Sequence, residues 1–212
     1  MPSAWSRAYK AGGIAVYRDG RRVEKRENKK RDNKQQTSDW YGRPKKRLAK
    51  VGVVRSNNPI PHLTPYFYFE LTITRMAEDS EIAIGLAEEY SSLMVMPGTV
   101  FDSFGFCNGK IFGGAAGPNG WECGGHTPFQ VEDTIGCCLD QAGRNGCREI
   151  FFTHNGLYQF GSTLKNVPNF PLYPIVGITG SGAVKANFGE EPFLFRDLRE
   201  RMLVVQIGLR RE

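Results

Sequence analysis

The 212-residue sequence has no apolar run near the length of about 20 residues that a helix needs to cross a bilayer. Its first residues, MPSAWSRAYKAGG, also lack the apolar core of a secretory signal. We therefore expect no membrane insertion and an intracellular location, cytoplasmic or nuclear. A secreted mature form that has lost its signal is the alternative.

Catalytic motifs are equally scarce. The sequence contains no nucleophile elbow, zinc-protease, P-loop or dinucleotide-binding pattern, and it has only 3 histidines. His62 and His154 fall in turn-like stretches, so we expect them to be exposed turn residues rather than general bases. These absences predict a protein that is not an enzyme and needs no cofactor.

The cysteine pattern does not indicate a disulfide framework. The chain has 5 cysteines, an odd number, and two of them are adjacent. Cys123 and His126 form one C-x-x-H pair, whereas a structural zinc site normally takes two such pairs. Free thiols in a reducing compartment and the absence of a metal are therefore expected.

Positive charge is concentrated in one segment. Between Arg18 and Lys50 the sequence has 14 Lys/Arg and 5 Asp/Glu, a local excess of +9, although the whole chain carries only +6. Residues 24–50 have almost no aliphatic content, which is typical of a solvated insertion. We call residues 24–50 the basic insertion.

Three interpretations of the basic insertion stay open. It can be a solvated loop without a binding role, a landing site for nucleic acid on which Trp40 and Tyr41 stack, or an arm that attracts an acidic protein partner. A nuclear-import receptor is a further partner of the last kind, because PKKR at 44–47 resembles an import signal. The basic residues that would supply the attraction are Lys29, Lys30, Arg31, Lys45, Lys46 and Arg47.

The rest of the chain predicts an all-β fold. Short runs rich in Val, Ile, Phe, Tyr and Thr alternate with Gly, Pro, Asn and Asp clusters, as in YFYFELTIT at 66–74. Many short strands with frequent turns favour an antiparallel sandwich. A short helix is predicted only in the C-terminal segment, residues 197–212.

Several runs, read in order, resemble a SPRY domain of the RanBPM-like branch. The resemblance covers residues 13 to about 195 and depends on the combination rather than on any single run. The runs are VRSNNPIP (54–61), YFYFELTI (66–73), IAIGLA (82–87), MPG (96–98), DSFGF (102–106), EDTIGCCLD (132–140), IFFTHNG (150–156), LYPIVGI (172–178) and ANFGEEPFLF (186–195).

The resemblance implies a bent two-sheet β-sandwich over residues 1–196, interrupted by the basic insertion. It also implies a non-enzymatic module that binds a short peptide or disordered segment of a partner through loops at one end. Several family members serve as substrate receptors or scaffolds in ubiquitin-ligase assemblies. The alternative is a nucleic-acid-associated protein that binds through residues 18–50.

Candidate contact residues lie in three loops. Arg18 and Arg21 stand where some SPRY receptors have an R-x-P-x-A loop that grips the peptide, although this sequence lacks that motif. The LMVM stretch at 93–96 is either a contact patch or a plug that closes one end of the sandwich. The remaining candidates follow the LYPIVGI run, and the set is Arg18, Arg21, Leu93, Met94, Met96, Thr179, Gly180 and Ser181.

Apolar residues within the strand-like runs are expected to fill the space between the sheets. This predicted core comprises Phe67, Phe69, Ile84, Phe104, Ile135, Phe151, Tyr173, Val176 and Phe188. Because truncation of a core residue destabilises the whole domain, these positions are poor probes of binding.

Overall fold

A computed structural model describes residues 1–26, 50–113, 119–123, 127–142 and 147–196, and every regular element in these ranges is a β-strand. The strands are β1 (Trp5–Lys10), β2 (Ile14–Val16), β3 (Arg22–Lys25), β4 (Gly52–Ser56), β5 (Tyr66–Met76), β6 (Ile82–Ala87), β7 (Ser103–Cys107), β8 (Lys110–Phe112), β9 (Trp121–Glu122), β10 (Thr134–Asp140), β11 (Arg148–His154), β12 (Leu157–Tyr158), β13 (Leu164–Val167), β14 (Tyr173–Ile178) and β15 (Gly182–Asn187).

Two antiparallel sheets form the sandwich, which confirms the predicted fold class. Sheet A has the order β1-β4-β14-β6-β7-β8-β9, and sheet B the order β12-β11-β10-β5-β15-β3-β2, with β13 also paired to β11. Strand β3 extends to Lys25, so Glu24 and Lys25, which we predicted to open the basic insertion, lie within sheet B. The predicted C-terminal helix at 197–212 lies outside the described residues.

The core lies between the sheets and follows from the alternation of side chains along β5, since successive residues of a strand face opposite sides. Aromatic rings from the two sheets meet here: Phe106 of β7 stacks on Phe152 of β11 with their centroids 5.3 Å apart. The four inward residues of β5 are Phe67, Phe69, Leu71 and Ile73, as the sequence pattern predicts.

The outer face of sheet B is covered by residues 193–195, which we call the C-terminal strap. Phe151 was expected in the inter-sheet core, but it lies on this outer face and packs against Phe195. The prediction was wrong for Phe151 because its neighbours Ile150 and Phe152 both face the inter-sheet core. Strand β11 is therefore apolar on both faces, and the strap keeps water from the outer one.

One buried carboxylate holds the strap. Glu70 of β5 accepts hydrogen bonds from the backbone amides of Leu194 and Phe195, both at 3.0 Å, and from the Tyr68 hydroxyl at 2.9 Å. Burial raises the pKa of Tyr68, which therefore stays a donor. A Cβ at Gly136 would lie 2.0 Å from the Tyr68 hydroxyl oxygen, so this position requires glycine.

The antiparallel order assigns each connection to one of two ends. We call the end that carries residues 179–181 the β14–β15 end; the β5–β6 turn at 77–81 and both ends of the basic insertion also lie there. We call the opposite end the β2–β3 end, after the turn at 17–21, and it includes the β4–β5 loop at 57–65.

A second buried carboxylate fixes the end of β3, where the basic insertion begins. Glu24 pairs with Arg26 and with Arg75 of β5, each at 2.7 Å, and accepts a short hydrogen bond from the Tyr17 hydroxyl. The hydrogen bonds from Arg26 and Tyr17 outweigh burial and lower the pKa of Glu24 to about 2. The strand is thus anchored before the insertion leaves it.

We predict that Glu70→Gln lowers the free energy of unfolding by about 1–3 kcal/mol, because the amide places a donor against donors in a buried site. Urea denaturation of the whole chain measures the change. The control is Glu78→Gln, an exposed position, which should leave the midpoint unchanged. Equal midpoints for the two variants would contradict the role of the Glu70 carboxylate.

We predict a pH-dependent effect of Glu24→Gln. The folded pKa of about 2 is below the ordinary value of 4.5, so this carboxylate stabilises the fold above pH 4.5, and the contribution is lost as the pH falls towards 2. The variant should be less stable than the parent at pH 6, and the difference should shrink steadily below pH 4.5. Thermal unfolding across this range tests it; a constant difference would argue against the ion pairs.

Candidate functional site

The β14–β15 turn is tied to the β5–β6 turn by reciprocal hydrogen bonds. The Thr179 hydroxyl accepts the amide of Glu81 at 2.7 Å, and the Thr179 amide donates to the Glu81 carbonyl at 2.9 Å. The Ser80 hydroxyl accepts the amide of Ser181 at 2.9 Å. Thr179 and Gly180 are buried, whereas Ser181 is half-buried. Of these three candidates, Ser181 has the most surface in contact with solvent.

A buried lysine supports the same turn. Lys25, at the end of β3, donates from Nζ to the Gly180 carbonyl at 2.6 Å. Its aliphatic stem lies against Gly52 of β4, where a Cβ would come within 3.2 Å of the lysine Cδ. Lys25 therefore links the two sheets at the β14–β15 end, directly before the chain enters the basic insertion.

The β6–β7 loop, residues 88–102, lies across the outer face of sheet A. Its Pro97 contacts strand backbone so closely that a Cβ at Gly105 would lie 2.2 Å from the Pro97 carbonyl oxygen. A Cβ at Gly177 of β14 would lie 2.4 Å from the Pro97 Cδ. Glycines on two strands thus form a shallow seat for the proline, and any side chain there would lift the loop.

The LMVM stretch divides its two proposed roles between its residues. Leu93 packs on Val53 of sheet A, and its carbonyl accepts the Val53 amide at 3.0 Å. Met96 is half-buried beside Gly177, which lies two residues before the β14–β15 turn. Met94, in contrast, is 61% exposed. Leu93 and Met96 therefore hold the loop on the sheet, and Met94 is presented to solvent.

Arg18 and Arg21 lie at the β2–β3 end, so the structure does not bring them together with the other candidates. Their turn is closed by Asp19, which accepts the amides of Arg21 at 3.0 Å and Arg22 at 3.1 Å. Those bonds lower the pKa of Asp19 against a smaller opposing effect of burial. The basic residues Lys29, Lys30, Arg31, Lys45, Lys46 and Arg47 lie outside the described residues.

His154 is held by a neighbouring carboxylate and is largely buried. His154 ends β11 instead of occupying the turn apex, and its Nε2 lies 2.9 Å from an Asp133 oxygen. The expectation of an exposed turn residue was wrong for His154 because Asn155 and Gly156 form the turn. Burial opposes ionisation of Asp133, but hydrogen bonds from Asn155 and the Gln130 amide, together with the adjacent His154 ring, lower its pKa.

Burial makes the Cys107 and Cys123 thiols less acidic than a free cysteine, which disfavours the reactive thiolate. All five cysteines are free. Burial raises the pKa of the Cys123 thiol to about 11 and raises that of Cys107 further. His126, the other half of the C-x-x-H pair, falls outside the described ranges. Within those ranges no group of three or more His, Cys, Asp or Glu side chains could hold a metal ion.

The sequence analysis missed an aromatic and charged cluster on the outer face of sheet A. The Arg55 guanidinium of β4 lies between the rings of Tyr9 and Tyr173, 4.0 Å from each centroid. Its Nη1 donates to the Glu89 carbonyl at 2.6 Å, and next to Glu89 stands Tyr90, which is 87% exposed. The prediction that Tyr173 belongs to the inter-sheet core was therefore wrong.

The alternation of β4 could have shown that Arg55 shares a face with Val53, but not which rings enclose it. Burial raises the pKa of Tyr173, and the nearby Glu89, Tyr9 and Tyr90 add to this, while Arg55 acts in the opposite direction. The cluster thus fixes the beginning of the β6–β7 loop, as Pro97 fixes its second half.

Among the residues that the structure describes, no helix is long and apolar enough to cross a membrane.

Comparisons with known proteins agree with the fold. The SPRY domain family model matches residues 66–191. Ran-binding protein 9 of Xenopus tropicalis is 34% identical over 156 residues, which are 73% of this chain and 26% of that protein. Human Ran-binding protein 9 is 29% identical over 203 residues, 95% of this chain and 24% of that protein. The chain thus spans about a quarter of these relatives.

Solved structures give the same result for the architecture. A crystal structure of a human SPRY domain superimposes with a TM-score of 0.63 at 23% identity, covering 90% of this chain and 100% of that one. The SPRY domain of human HERC1 gives a TM-score of 0.61 at 15% identity, covering 89% and 100%. The family model matches more than half of the chain, and the chain therefore belongs to the SPRY domain family, as its resemblance to the RanBPM-like branch predicts.

Proposed function

We propose that this SPRY domain binds a short peptide or disordered segment of a partner protein through one surface, formed by the β6–β7 loop and the β14–β15 turn. SPRY domains are protein-interaction modules, and the Ran-binding relatives agree with such a role. The observation that carries the proposal is the exposed Met94 on a loop that Pro97, Leu93 and Met96 fasten to sheet A.

Fastening the loop favours binding for an entropic reason. When a loop becomes ordered only on association, the entropy lost in ordering it weakens the affinity. Here the backbone bond from Val53 to Leu93 and the glycine seat of Pro97 fix the loop in advance. Methionine adapts its unbranched side chain to a partner's shape, so Met94 suits a contact residue on a rigid support.

The predicted site residues therefore take different roles. Met94 and Ser181 are the contact residues of the proposed surface. Leu93, Met96, Thr179 and Gly180 position them, because their side chains or backbones face the domain. Arg18 and Arg21, at the β2–β3 end, do not belong to this surface.

The domain's place in a larger assembly is a second part of the proposal. Several SPRY proteins act as substrate receptors or scaffolds in ubiquitin-ligase assemblies, and we propose the same role here. The family membership supports the role.

The nucleic-acid alternative receives no support from the matched family or the relatives reported above. An intracellular setting is also proposed, because all five cysteines are free thiols.

We predict that Met94→Glu weakens partner binding about tenfold or more, because it places a charge at the centre of an apolar contact. Affinity capture from native lysate, with and without nuclease, identifies partners that the parent chain binds. The affinities of the parent and variant for a captured partner are then compared by calorimetry.

The matched control is Leu63→Glu, since Leu63 is 96% exposed in the β4–β5 loop, which is not part of the proposed surface. It should bind like the parent. Loss of binding in the Leu63 variant with retention in the Met94 variant would place the binding site at the β4–β5 loop and contradict the proposal. Partners released by nuclease would favour the nucleic-acid alternative.

The basic insertion enters and leaves at the β14–β15 end, and we propose that it attracts partners with acidic residues beside the docked motif. Replacing Lys29, Lys30, Arg31, Lys45, Lys46 and Arg47 by Ser keeps the number of residues in the insertion and removes six charges. We predict slower association and a flatter dependence of the association rate on salt, with dissociation almost unchanged. Stopped-flow kinetics at several salt concentrations measure this, and identical association rates would contradict it.

A further inference from the structure

Two exposed tyrosines form a platform at the beginning of the β6–β7 loop. We use the name platform for Tyr9 and Glu89, which contact the buried Arg55, together with Glu88 and Tyr90, which flank Glu89 in the loop. Tyr9 is 52% exposed and Tyr90 is 87% exposed, although both are large aromatic side chains. Tyrosine is enriched at protein interfaces because it offers a wide ring at a low cost in side-chain entropy.

Arg55 is not the ligand-binding group of the platform. Its side chain is only 4% exposed, two ring faces enclose it, and its Nη1 already donates to the Glu89 carbonyl. Its Nε is buried without a hydrogen-bond partner, and contact with the two rings offsets part of the desolvation cost. An anion arriving from solvent would not reach this guanidinium, which rules out an anion site.

The exposed charge at the platform is negative. Glu89 has a side chain that is 41% exposed, and its carboxylate lies 3.9 Å from the Arg55 Nη1. Glu88 precedes it and is half-buried. The basic residues of the adjacent strand β1 are directed elsewhere, because Arg7 donates to the carbonyls of Tyr17 and Arg18 and Lys10 donates to that of Ile14.

We propose that the platform binds a cationic side chain of the partner segment, with arginine preferred over lysine. The exposed ring of Tyr90 and the free face of Tyr9 receive the flat guanidinium, and Glu88 and Glu89 supply the opposite charge. Arginine suits this arrangement because its planar group stacks on aromatic rings while donating to carboxylates. The inference rests on the proposed function, since it assigns one subsite of the β6–β7 surface.

The subsite sets a spacing along the partner segment. Tyr173 beside the platform and Ile178 before the β14–β15 turn are the two ends of one strand, β14, so they are about 17 Å apart at 3.3 Å per residue. An extended segment that follows the loop therefore has its arginine about five residues from the part that reaches the β14–β15 end. Any acidic residues attracted by the basic insertion lie at that far part.

The test uses the whole chain and a capped nine-residue peptide, Gly-Ser-Gly-Ser-Arg-Ser-Gly-Ser-Gly, with the tyrosine ring signals followed by NMR. We expect saturable shifts at Tyr9 and Tyr90. The same peptide with Glu in place of Arg should give none. The whole chain has a charge of +6, so a non-specific attraction of the cationic peptide is disfavoured.

Three variants sharpen the result. Tyr90→Ala and Glu89→Gln should each weaken the arginine peptide roughly 2–5-fold, while Tyr90→Phe, which keeps the ring, should bind like the parent. Glu89→Gln retains the backbone carbonyl that Arg55 needs, so the fold is preserved. Absence of saturable shifts, an equal response to the Glu peptide, or indifference to both weakening variants would overturn the proposal.

This outcome is separable from that of the proposed function. The probe contains no partner sequence and does not require Met94. Binding of the arginine peptide together with an unaffected Met94→Glu variant would overturn the proposed surface but leave the cation subsite. If Met94→Glu abolishes partner binding but the arginine peptide does not bind, the proposed surface stands and the cation subsite is overturned.

Discussion

The seating of Pro97 on glycine backbone is the contact on which the candidate site depends. Because Gly105 and Gly177 have no side chains, the β6–β7 loop lies directly on sheet A instead of standing away from it. This proximity lets Leu93 bond to Val53 and sets Met96 beside the strand that leads to the β14–β15 turn. The exposure of Met94 is a consequence, since its neighbours on both sides are fastened.

The sequence predicted the structure best where the alternation of inward and outward residues along a strand decides which side chains are buried. The pattern of β5 correctly predicted which four residues face the core, because a strand has a fixed period of two. It could not predict that Tyr68 and Glu70, on the opposite face, are also buried. Their burial depends on the C-terminal strap, which is distant in sequence and carries no periodic signal that links it to β5.

The positions of the candidate loops depend on strand direction, which the sequence conveys poorly. Each antiparallel strand reverses the chain, so one overlooked strand moves every preceding loop to the other end of the sandwich. Two-residue strands such as β9 and β12 are too short to be recognised by pattern. The family resemblance predicted Arg18 and Thr179 at one end, whereas they lie at opposite ends. The Arg55 cluster was missed for a related reason, because its two rings come from strands far apart in the chain.

Hydrogen–deuterium exchange of the chain, alone and saturated with a captured partner, tests the central claim most directly. The account predicts that the partner slows exchange at residues 90–96 and at Ser181, with little change in the β2–β3 turn and the β4–β5 loop. Protection confined to residues 17–21 and 57–65, with unchanged exchange in the β6–β7 loop, would contradict it.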